Sequence, residues 1–387
     1  MRFPEFNGEW ETKLINDLAV VIGGGTPDTT IKSYWDGEIQ WFTPSEIGKN
    51  KYVDSSLRTI TEEGLNNSSA KLLPPNTILL SSRATIGECS LSLRECATNQ
   101  GFQSLVSKKC YVDFLYYLIQ TKKRDLIRKS CGSTFLEISA NEVRKIQVSV
   151  PTDVEQQKIA GLLSLIDERI ATQNKIIEDL KKLKSAISKH LFARKDLLET
   201  TICLSNIATL KNGYAFQSGK YNALGKWKIL TITNVSGERY INDEDYNCII
   251  NLPNDIQDHQ VLKEGDILIS LTGNVGRVSL CKDGDYLLNQ RVGLLQLAKN
   301  VNQEFLYQIL SSQRFENSMI ACGQGAAQMN IGKGDVESYV LPYSSNVNNI
   351  LLVAKILHSY DEYIINEQRK LTLLTMQKQY FLAQMFI

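Results

Sequence analysis

Two stretches of the sequence repeat apolar residues at the spacing of a long helix. The first runs from residue 155 to residue 192, contains no proline, and has one glycine, Gly161. Its apolar positions are separated by three, four or seven residues, which is the pattern of a heptad seam. These positions are Ile159, Leu163, Ile166, Ile170, Ile177, Leu180, Ile187 and Leu191. At about 1.5 Å per residue, a helix over this stretch would be roughly 57 Å long.

A second seam of the same kind lies near the carboxyl end of the chain. It consists of Val353, Leu357, Tyr360, Ile364, Leu371, Leu374, Phe381 and Met385. Each seam carries a polar residue at the equivalent place, Gln173 in the first and Glu367 in the second. Polar seam residues can fix the register of paired helices at some cost in stability. We therefore predict two long helices that pair and act as a spacer, with packing of each helix on its own domain as the alternative.

In the segment that precedes each seam, short β-rich runs alternate with turn signals. Examples are "NTILLSS" and "FQSLVS" in the first half and "DILISL" and "VGLLQL" in the second. Turn residues such as Pro74-Pro75-Asn76 and Glu264-Gly265-Asp266 bound these runs. One shorter helix is predicted at 112–129 and another at 303–319. The pattern indicates an α+β fold.

The chain is a tandem duplication with a repeat of about 190 residues. "LLPPNTILLSSRATIGECSL" (72–91) aligns with "VLKEGDILISLTGNVGRVSL" (261–280), and Asn99-Gln100 align with Asn289-Gln290. "LIDERI" (165–170) aligns with "SYDEYI" (359–364). We predict a globular domain at 1–150, a long helix at 151–197, a second globular domain at 198–342 and a second long helix at 343–387.

Composition narrows the class of protein. Hydrophobic residues make up 43% and charged residues 22% of the 387 residues, as in an ordinary globular protein. No run of 18 apolar residues and no apolar signal-peptide core is present, so we expect a cytoplasmic protein. The eight cysteines form no Cys-x-x-Cys pair, and with three histidines a zinc site is not expected. The net charge of +1 gives no general basic excess, although a local basic face is enough for DNA binding.

The glycine-rich stretch "VVIGGGTPDTT" (20–30) is interpreted as a turn. A phosphate-binding loop leads directly into a helix, whereas Thr26-Pro27 favour extended chain. The second copy, "LKNGYAF" (210–216), keeps one glycine, with Gly213 aligned to Gly23. "IGKGD" (331–335) lacks the Ser or Thr of a phosphate-binding loop, and no methyltransferase tetrad, His-Glu-x-x-His or Gly-x-Ser-x-Gly is present. The sequence therefore predicts a non-catalytic chain with no metal site.

The order of these elements resembles the specificity subunit of type I restriction–modification systems over essentially the whole chain. "GGGTPDT…YWDGEIQWFTPSEI" (23–47) is similar to the start of that family's first target recognition domain. "PTDVEQQKIAGLLSLIDERI" (151–170) is similar to its central helical region. The second helix departs from the pattern at its start, where "YSSNVNNILLVAKIL" (343–357) lacks the acid-Gln-Gln of residues 155–157. This departure leaves the capping of the second helix open.

The resemblance implies that each globular copy reads one half of a split double-stranded DNA target. It implies that the helices pair antiparallel, set the gap between the halves, and carry two methyltransferase subunits and a restriction/translocase subunit. S-adenosylmethionine, ATP and Mg would be bound by those partner subunits and not by this chain. Half-sites read from one side of a duplex lie about 34–36 Å apart or a multiple of it. The charged helix residues Lys175, Glu178, Lys181 and Lys182 are candidates for partner docking, or are simply solvated.

Base reading requires polar side chains on loops and element ends, and phosphate contact requires Lys or Arg. In the first copy the candidates are Thr43, Ser45, Arg83, Thr85, Asn99, Gln100 and Gln103, with the loop 132–138. In the second copy they are Thr231, Asn234, Thr272, Asn274, Arg277, Asn289, Gln290, Arg291, Gln324, Gln328 and Asn330. The alternative for Asn99 and Asn289 is a structural role in a turn.

A basic run, "TKKRDLIRK" (121–129), is the best candidate for phosphate contact in the first copy, through Lys122, Lys123 and Arg124. The alternative is a solvated surface. Two rival functions remain at the level of sequence. One is a coiled-coil scaffold that binds only proteins, and the other is a stand-alone methyltransferase, which the missing tetrad disfavours.

Overall fold

The computed structural model describes residues 2–132, 136–323 and 329–386, which divide into two units. Unit 1 combines the chain up to Lys175 with the residues from Arg369 onwards, and unit 2 comprises Ile176–Gln368. Each unit therefore contains one globular copy and part of each long helix. The division falls within both long helices, and the four segments given by the sequence stay a prediction.

Among the residues that the structure describes, the first copy and the helix that follows it contain ten strands and six helices. The strands are β1 (Glu11–Leu14), β2 (Ala19–Gly23), β3 (Trp35–Phe42), β4 (Tyr52–Val53), β5 (Arg58–Ile60), β6 (Ile78–Leu80), β7 (Cys89–Ser92), β8 (Cys96–Thr98), β9 (Gln103–Ser107) and β10 (Gln147–Val150). The helices are α1 (Ile15–Leu18), α2 (Glu62–Asn66), α3 (Val112–Thr121), α4 (Lys123–Arg128), α5 (Ala140–Arg144) and the long α6 (Asp153–Ala193). Short 3-10 turns occur at Lys32–Tyr34 and Pro44–Glu46.

The second copy repeats this order with small omissions. Its strands are β11 (Thr200–Cys203), β12 (Ala208–Asn212), β13 (Trp227–Leu230), β14 (Asn247–Ile249), β15 (Ile267–Ser270), β16 (Val278–Leu280), β17 (Tyr286–Leu288), β18 (Val292–Leu297) and β19 (Val340–Tyr343). Its helices are α7 (Gln303–Leu310), α8 (Gln313–Gly323), α9 (Lys333–Glu337) and the long α10 (Val347–Met385). Short 3-10 turns occur at Leu204–Asn206, Ser218–Lys220 and Asp258–Gln260.

The sheets of the two copies correspond strand by strand. Unit 1 has a five-stranded sheet of order β2-β9-β6-β7-β4, a three-stranded sheet β5-β3-β8 and the ribbon β1-β10. Unit 2 has β12-β18-β15-β16, β14-β13-β17 and the ribbon β11-β19. The edge strand β4 is reduced in unit 2 to one bridge between Tyr240 and Leu280. The predicted α+β duplication is confirmed.

Continuous apolar runs form the buried centre of each sheet. Ile78, Leu79 and Leu80 of β6 are fully buried, as are residues 267–269 of β15. Both strands have a neighbour on each side, so neither edge of these runs faces water. Full burial of such a side chain stabilises the folded chain by about 1.5–3 kcal/mol. These short strands therefore contribute strongly to the core of each unit.

The predicted helices at 112–129 and 303–319 are each broken in two. Lys122 leaves the helical conformation with ψ at 7°, and α4 starts after it. In unit 2 the break lies at Ser311, with ψ at 1°. Residues 114–119 and 305–310 are buried on every face, whereas each following helix buries one face, through Leu126 in α4 and through Phe315 and Met319 in α8. The chain therefore turns where the fully buried segment ends, which apolar spacing alone does not reveal.

Both long helices are confirmed. Ile159, Leu163 and Ile166 of α6 are buried, and so are Val353 and Leu357 of α10. In unit 1 an ion pair joins Asp167 of α6 to Lys378 of α10, and in unit 2 one joins Lys184 of α6 to Asp361 of α10. The spacing from Asp167 to Lys184 along α6 equals the spacing from Asp361 to Lys378 along α10, and the two run in opposite directions. The helices are therefore antiparallel in one register.

The two long helices begin differently, which resolves the departure noted in the sequence. At the start of α6, Gln156 donates to the Pro151 carbonyl and accepts from the Tyr111 amide. At the start of α10, the Asn346 side chain accepts from the Asn348 amide instead. In the same region Glu199 accepts hydrogen bonds from Ser345. Hydrogen bonds from Ser344, its own backbone and Ser345 lower the pKa of Glu199 to about 2.

Candidate DNA interface

The turn after the central strand of each sheet presents exposed polar side chains. In unit 1 this turn contains Arg83, Ala84 and Thr85, and Thr85 is exposed. Ala84 has φ at 55°, the left-handed region that costs a residue with a side chain about 1–2 kcal/mol. In unit 2 the equivalent residue is Gly273, with φ at 72°, followed by the exposed Asn274. The two copies thus share a tight backbone and differ in the side chains it presents.

A second segment is bonded to this turn in each copy. In unit 1 the Ile138 amide donates to the Ser82 carbonyl, and Arg83 makes an ion pair with Glu137 at 2.9 Å. Both charged side chains remain about two-fifths exposed, at 42% and 37%. A phosphate can therefore compete for Arg83, since such surface pairs contribute only about 0–1 kcal/mol.

In unit 2 the corresponding segment is residues 329–331. The Gly273 amide donates to the Met329 carbonyl, and Thr272 forms a bridge with Asn330, which is exposed. The Thr272 hydroxyl is enclosed and has no hydrogen-bond partner within the described part of the chain. Gln324, Gln328 and residues 133–135 of the predicted loop 132–138 lie outside the described residues.

The Asn-Gln turn adjoins the same surface. Asn99 Oδ1 accepts from the Gly101 amide at 2.9 Å, and Asn289 Oδ1 accepts from the Arg291 amide at 3.2 Å. These Asx turns support the structural alternative for both asparagines. Their neighbours Gln100, Gln290 and Arg291 are exposed.

Backbone hydrogen bonds tie the Asn-Gln turn to the neighbouring loops. The Gly101 carbonyl accepts from the Ser82 amide, and the Asn99 amide donates to the Phe42 carbonyl. In unit 2 the Leu271 amide donates to the Arg291 carbonyl, and the Asn289 amide donates to Leu230. Candidates that are far apart in sequence are therefore brought onto one surface in each copy, which we call the loop face: residues 43–45, 83–85 and 99–101 in unit 1, and 231–233, 272–274, 289–291 and 330 in unit 2.

The glycine-rich stretch is packed tightly beneath this surface. A Cβ on Gly24 would lie 2.1 Å from the Asn99 carbonyl oxygen, and one on Gly213 would lie 2.2 Å from that of Asn289. Gly213 is therefore equivalent to Gly24, which corrects the sequence alignment to Gly23 by one residue. After β2 the next helical element is the 3-10 turn that begins at Lys32, so no helix follows the glycines directly. The interpretation as a turn is confirmed, and the glycines allow two backbones to approach closely.

Thr43 and Thr231 close equivalent turns, and this corrects one prediction. The Thr43 amide and hydroxyl donate to Glu46 at 2.7 Å each. The Thr231 amide donates to Asn234 Oδ1 at 2.7 Å, and the Asn234 Nδ2 group donates to the carbonyls of Asn242 and Asp245. Asn234 is 2% exposed, so it holds the loop together and is not placed to read a base. Ser45, two residues after Thr43, is exposed.

Gln103 is also placed away from the exposed loops. It lies on β9 opposite Gly23, and its Oε1 atom is enclosed without a hydrogen-bond partner among the described residues. The alternation of strand residues turns this side chain toward the sheet interior. The sequence could not show this, because it did not determine at which residue β9 begins.

The basic run 121–129 is largely neutralised by neighbouring acids. Lys123 pairs with Glu88, Arg128 with Asp125, and Lys129 with Glu142. Lys122 lies at the break between α3 and α4, and Arg124 is exposed. Lys123 also packs on Gly87, so the run adjoins the 83–88 turn. Of the three residues predicted to contact phosphate, Arg124 is exposed and makes no ion pair with another described residue.

The equivalent ion pair of unit 2 has its charges exchanged. Arg277 occupies the position of Glu88, and its Nε lies 3.5 Å from Glu316 of α8. Glu88 projects toward Lys123 of α4 in the same place at 2.5 Å. In unit 1 the turn therefore supplies the acidic residue and the helix the basic one, whereas in unit 2 the turn supplies the basic residue and the helix the acidic one.

Three further features of the described residues concern metal ligands, thiols and membrane-spanning helices. No group of three or more His, Cys, Asp or Glu side chains in this part of the chain is arranged to hold a metal ion. All eight cysteines are free, and burial raises the pKa of Cys89 and of Cys96 to about 12, so these two are thiols at neutral pH. The helices that the structure describes are either too short or too polar to cross a bilayer.

Comparison with known families finds one match that repeats along the chain. Residues 7–182 and 199–376 match the family described as "Type I restriction modification DNA specificity domain". Each match contains one globular copy and most of the long helix that follows it. The repeat detected in the sequence and the repeat of the sheets therefore coincide with two family domains.

Individual relatives carry the same description. The chain is 39% identical over 189 residues to the MjaIX specificity subunit of Methanocaldococcus jannaschii, covering 48% of this chain and 44% of that protein. It is 31% identical over 206 residues to the EcoR124I/EcoR124II specificity subunit of Escherichia coli, covering 51% of this chain and 50% of that protein. These alignments span about half the length of the relatives. The MjaVIII specificity subunit of Methanocaldococcus jannaschii is 25% identical, with 82% of this chain and 78% of that protein covered.

Solved structures show the same fold. The type I restriction–modification S subunit from M. genitalium has a TM-score of 0.58 and 17% identity, with 100% of this chain and 99% of that one covered. A chain from a study of complex assembly and conformational transition of the type I R-M system has a TM-score of 0.59 and 14% identity, with 98% of each chain covered.

Proposed function

This chain belongs to the type I restriction modification DNA specificity domain family, and from that premise we propose that it is the DNA-reading subunit of a type I restriction–modification complex. In this proposal each loop face reads one half of a bipartite double-stranded DNA target. The chain itself performs no reaction. Its relatives are named specificity subunits, in accord with the expectation of a non-catalytic chain.

One observation carries the proposal: the two loop faces share a backbone frame but differ in their exposed side chains. Arg83-Ala84-Thr85 in unit 1 stand where Thr272-Gly273-Asn274 stand in unit 2, and Gly101 stands where Arg291 stands. Direct reading depends on which donors and acceptors reach the base edges, and not on the backbone that carries them. Two readers built on one frame therefore suit two different half-sites.

The paired helices are the proposed site for the methyltransferase subunits. In unit 1, Leu165 of α6 and Leu373 of α10 line a groove and are 59% and 65% exposed. Arg169 and Lys370 lie beside them. A partly apolar groove with charged edges is typical of a protein interface. Among the candidate docking charges, Lys181 and Lys182 already have partners, Glu238 and Glu178.

The same proposal assigns the cofactors to the partners. S-adenosylmethionine would be bound by the methyltransferase subunits, and ATP and Mg by the restriction/translocase subunit. In this chain no three-residue metal cluster occurs within the described residues. Its contribution is to select the site at which the partners act.

The test is to express the chain with its methyltransferase partner in a methylation-free host and map N6-methyladenine. We expect one split motif that disappears when the chain is omitted. Replacing residues 272–274 by the residues found at 83–85 should alter only one half of that motif. Placing the same three residues at the exposed linker positions 194–196 is the control. A stable complex that adds no motif would instead favour the protein-interaction scaffold.

A further inference from the structure

Each unit contains a buried polar cluster where the globular copy meets the two long helices. In unit 1 it consists of Lys51, Asp113, Tyr117, Ser164, Asp167 and Lys378, which we call junction 1. In unit 2 it consists of Arg239, Glu304, Gln308, His358, Asp361 and Lys184, which we call junction 2. The two sets are related position by position by the repeat of the chain.

Junction 1 is a continuous chain of contacts. Lys51 lies 2.5 Å from Asp113 of α3 and donates to Ser164 of α6 at 2.7 Å. Tyr117 of α3 donates to Asp167 of α6 at 2.6 Å, and Lys378 of α10 lies 2.7 Å from the other oxygen of Asp167. The charged side chains are between 7% and 18% exposed. One cluster thus joins a loop of the globular copy, its buried helix and both long helices.

Junction 2 makes the same connections with different chemistry. Arg239 binds Glu304 of α7 through two hydrogen bonds of 2.6 and 2.9 Å and reaches Asp361 of α10 at 2.9 Å. Gln308 donates to Asp361 at 2.6 Å, and Lys184 of α6 lies 2.6 Å from the same carboxylate. Burial alone would raise the pKa of Glu304, but hydrogen bonds from Arg239 and Gln308 outweigh it and lower that pKa.

Each junction contains two cations and two carboxylates, so its buried charge is balanced. Such clusters contribute little net stability, because desolvation offsets most of the attraction, but they are strongly directional. The apolar side chains beside them, such as Phe114 and Leu163, belong to one core cluster and impose no comparable direction. A junction therefore selects one orientation of the globular copy from those that apolar packing alone would allow.

The position of the two lysines makes each junction sensitive to helix register. Lys378 comes from α10 and reaches an aspartate on α6, whereas Lys184 comes from α6 and reaches an aspartate on α10. A slip of one helix against the other by one turn, about 5.4 Å, would break both pairs together. Orientation of the globular copy and register of the helices are thus coupled at one aspartate in each unit.

We propose that junctions 1 and 2 are positioning sites that lock each recognition domain to one helix register and so hold the gap of the bipartite DNA target to one length. This inference rests on the proposed function and adds to it specific residues that determine gap length. Lys378 and Lys184 act through Asp167 and Asp361 and do not contact DNA themselves.

The test uses the complex with the methyltransferase partner and compares Lys378→Met and Lys184→Met with Lys378→Arg. Methylation is measured on DNA carrying both half-sites at the natural gap and at gaps one base pair shorter and longer. We expect the preference for the natural gap to fall about tenfold in each Met variant, a change of about 1.4 kcal/mol, while the bases read in each half-site stay the same. Lys378→Arg should restore the preference.

The matched control is Lys189→Met, five residues from Lys184 on the same helix, exposed and outside the candidate docking charges. It should leave the gap preference unchanged. A loss of methylation that is equal at all three gaps would show a merely structural role for the junctions and would overturn the proposal. So would Met variants that retain the full gap preference.

A second measurement separates this proposal from the proposed function. Spin labels at the exposed residues Glu95 and Ala171, in a chain with Cys131→Ser and Cys322→Ser, report the distance from the first copy to α6 within unit 1. We expect Lys378→Met to broaden that distance distribution and Lys189→Met to leave it unchanged. If the unaltered chain directs no methylation, the proposed function fails. In that case the distance distribution still tests the positioning role of junction 1. A distribution that Lys378→Met leaves unchanged overturns this role, and a broadened distribution supports it.

Discussion

The turn at residues 83–88 and the turn at residues 272–277 occupy the same place in the two copies, yet different residues fill them. Unit 2 has Gly273 at the left-handed position, whereas unit 1 has Ala84, which is strained there. The surrounding hydrogen bonds are nevertheless equivalent: the Ser82 carbonyl accepts from the Ile138 amide in one copy, and the Leu271 carbonyl accepts from the Ile331 amide in the other. The comparison shows that the frame, and not the local sequence, determines this backbone, so side chains are free to vary on it.

The largest expected effect tests whether the two units unfold separately. Phe114 and Phe305 are equivalent and fully buried, with Phe114 packed on Trp10 and Phe386 and Phe305 packed on Tyr343. Phe114→Ala and Phe305→Ala should each reduce the free energy of unfolding of their own unit by about 3–5 kcal/mol. Scanning calorimetry should show a different part of the transition shifting in each variant. A single transition that shifts equally in both would show that the copies unfold as one.

The next effect compares the basic run of unit 1 with its counterpart. Lys122→Ala, Lys123→Ala and Arg124→Ala together should weaken DNA binding about tenfold and reduce the salt dependence by about one to two units of log K against log salt. The reduction should stay below three, because Lys123 is already paired with Glu88. Arg314→Ala in unit 2 is the matched comparison, with a reduction of at most about one unit expected. An unchanged slope in the triple variant would remove this run from the DNA interface.

A smaller effect concerns the strained turn. Ala84→Gly should stabilise the protein by about 1 kcal/mol, since release of strain exceeds the entropy that glycine adds to the unfolded chain. Gly273→Ala should destabilise it by about the same amount, and its Cβ would also lie 3.3 Å from Ile232. Urea unfolding of both variants gives the comparison. Equal signs for the two substitutions would show that the turns are not equivalent.

The smallest effect distinguishes the two helix starts by pH. Hydrogen bonds from Ser344, its own backbone and Ser345 hold the pKa of Glu199 at about 2, against an ordinary 4.5. Because the folded-state pKa is depressed, the stabilisation is complete above about pH 4.5 and is lost as pH falls toward 2. NMR titration of Glu199 should give the low pKa, and Ser345→Ala should raise it. A titration near 4.5 in the unaltered chain would show that these hydrogen bonds are not kept in solution.

Much of the architecture could be predicted because both copies keep the same apolar spacing and turn residues. The heptad seams gave α6 and α10, and the apolar runs gave β6 and β15. The details that escaped prediction are long-range or conformational. Asn234 has an amide side chain of the kind that reads bases, but its burial depends on hydrogen bonds to the carbonyls of residues 242 and 245. The breaks at Lys122 and Ser311 lie where the fully buried segments 114–119 and 305–310 end, which no local spacing records.

The candidate site was predictable in part for the same reason. Exposed loops such as those of Thr85, Asn274 and Gln290 follow from turn signals, so their residues were found. The ion pairs that neutralise Lys123 and Arg83 join residues far apart in the chain and leave no periodic trace. The one-residue shift at Gly213 likewise became visible only through its contact with Asn289.

The exchanged charges at Glu88–Lys123 and Arg277–Glu316 restrict how such a chain can be recombined. If the 83–88 turn were transplanted into the second copy, Glu88 would face Glu316, and the reciprocal graft would bring Arg277 against Lys123. Like charges at these partly exposed sites repel, and a graft that includes the following helix restores the original partner. Inheritance of a new specificity is therefore easier by exchange of a turn with its helix, or of a whole copy, than by exchange of the turn alone.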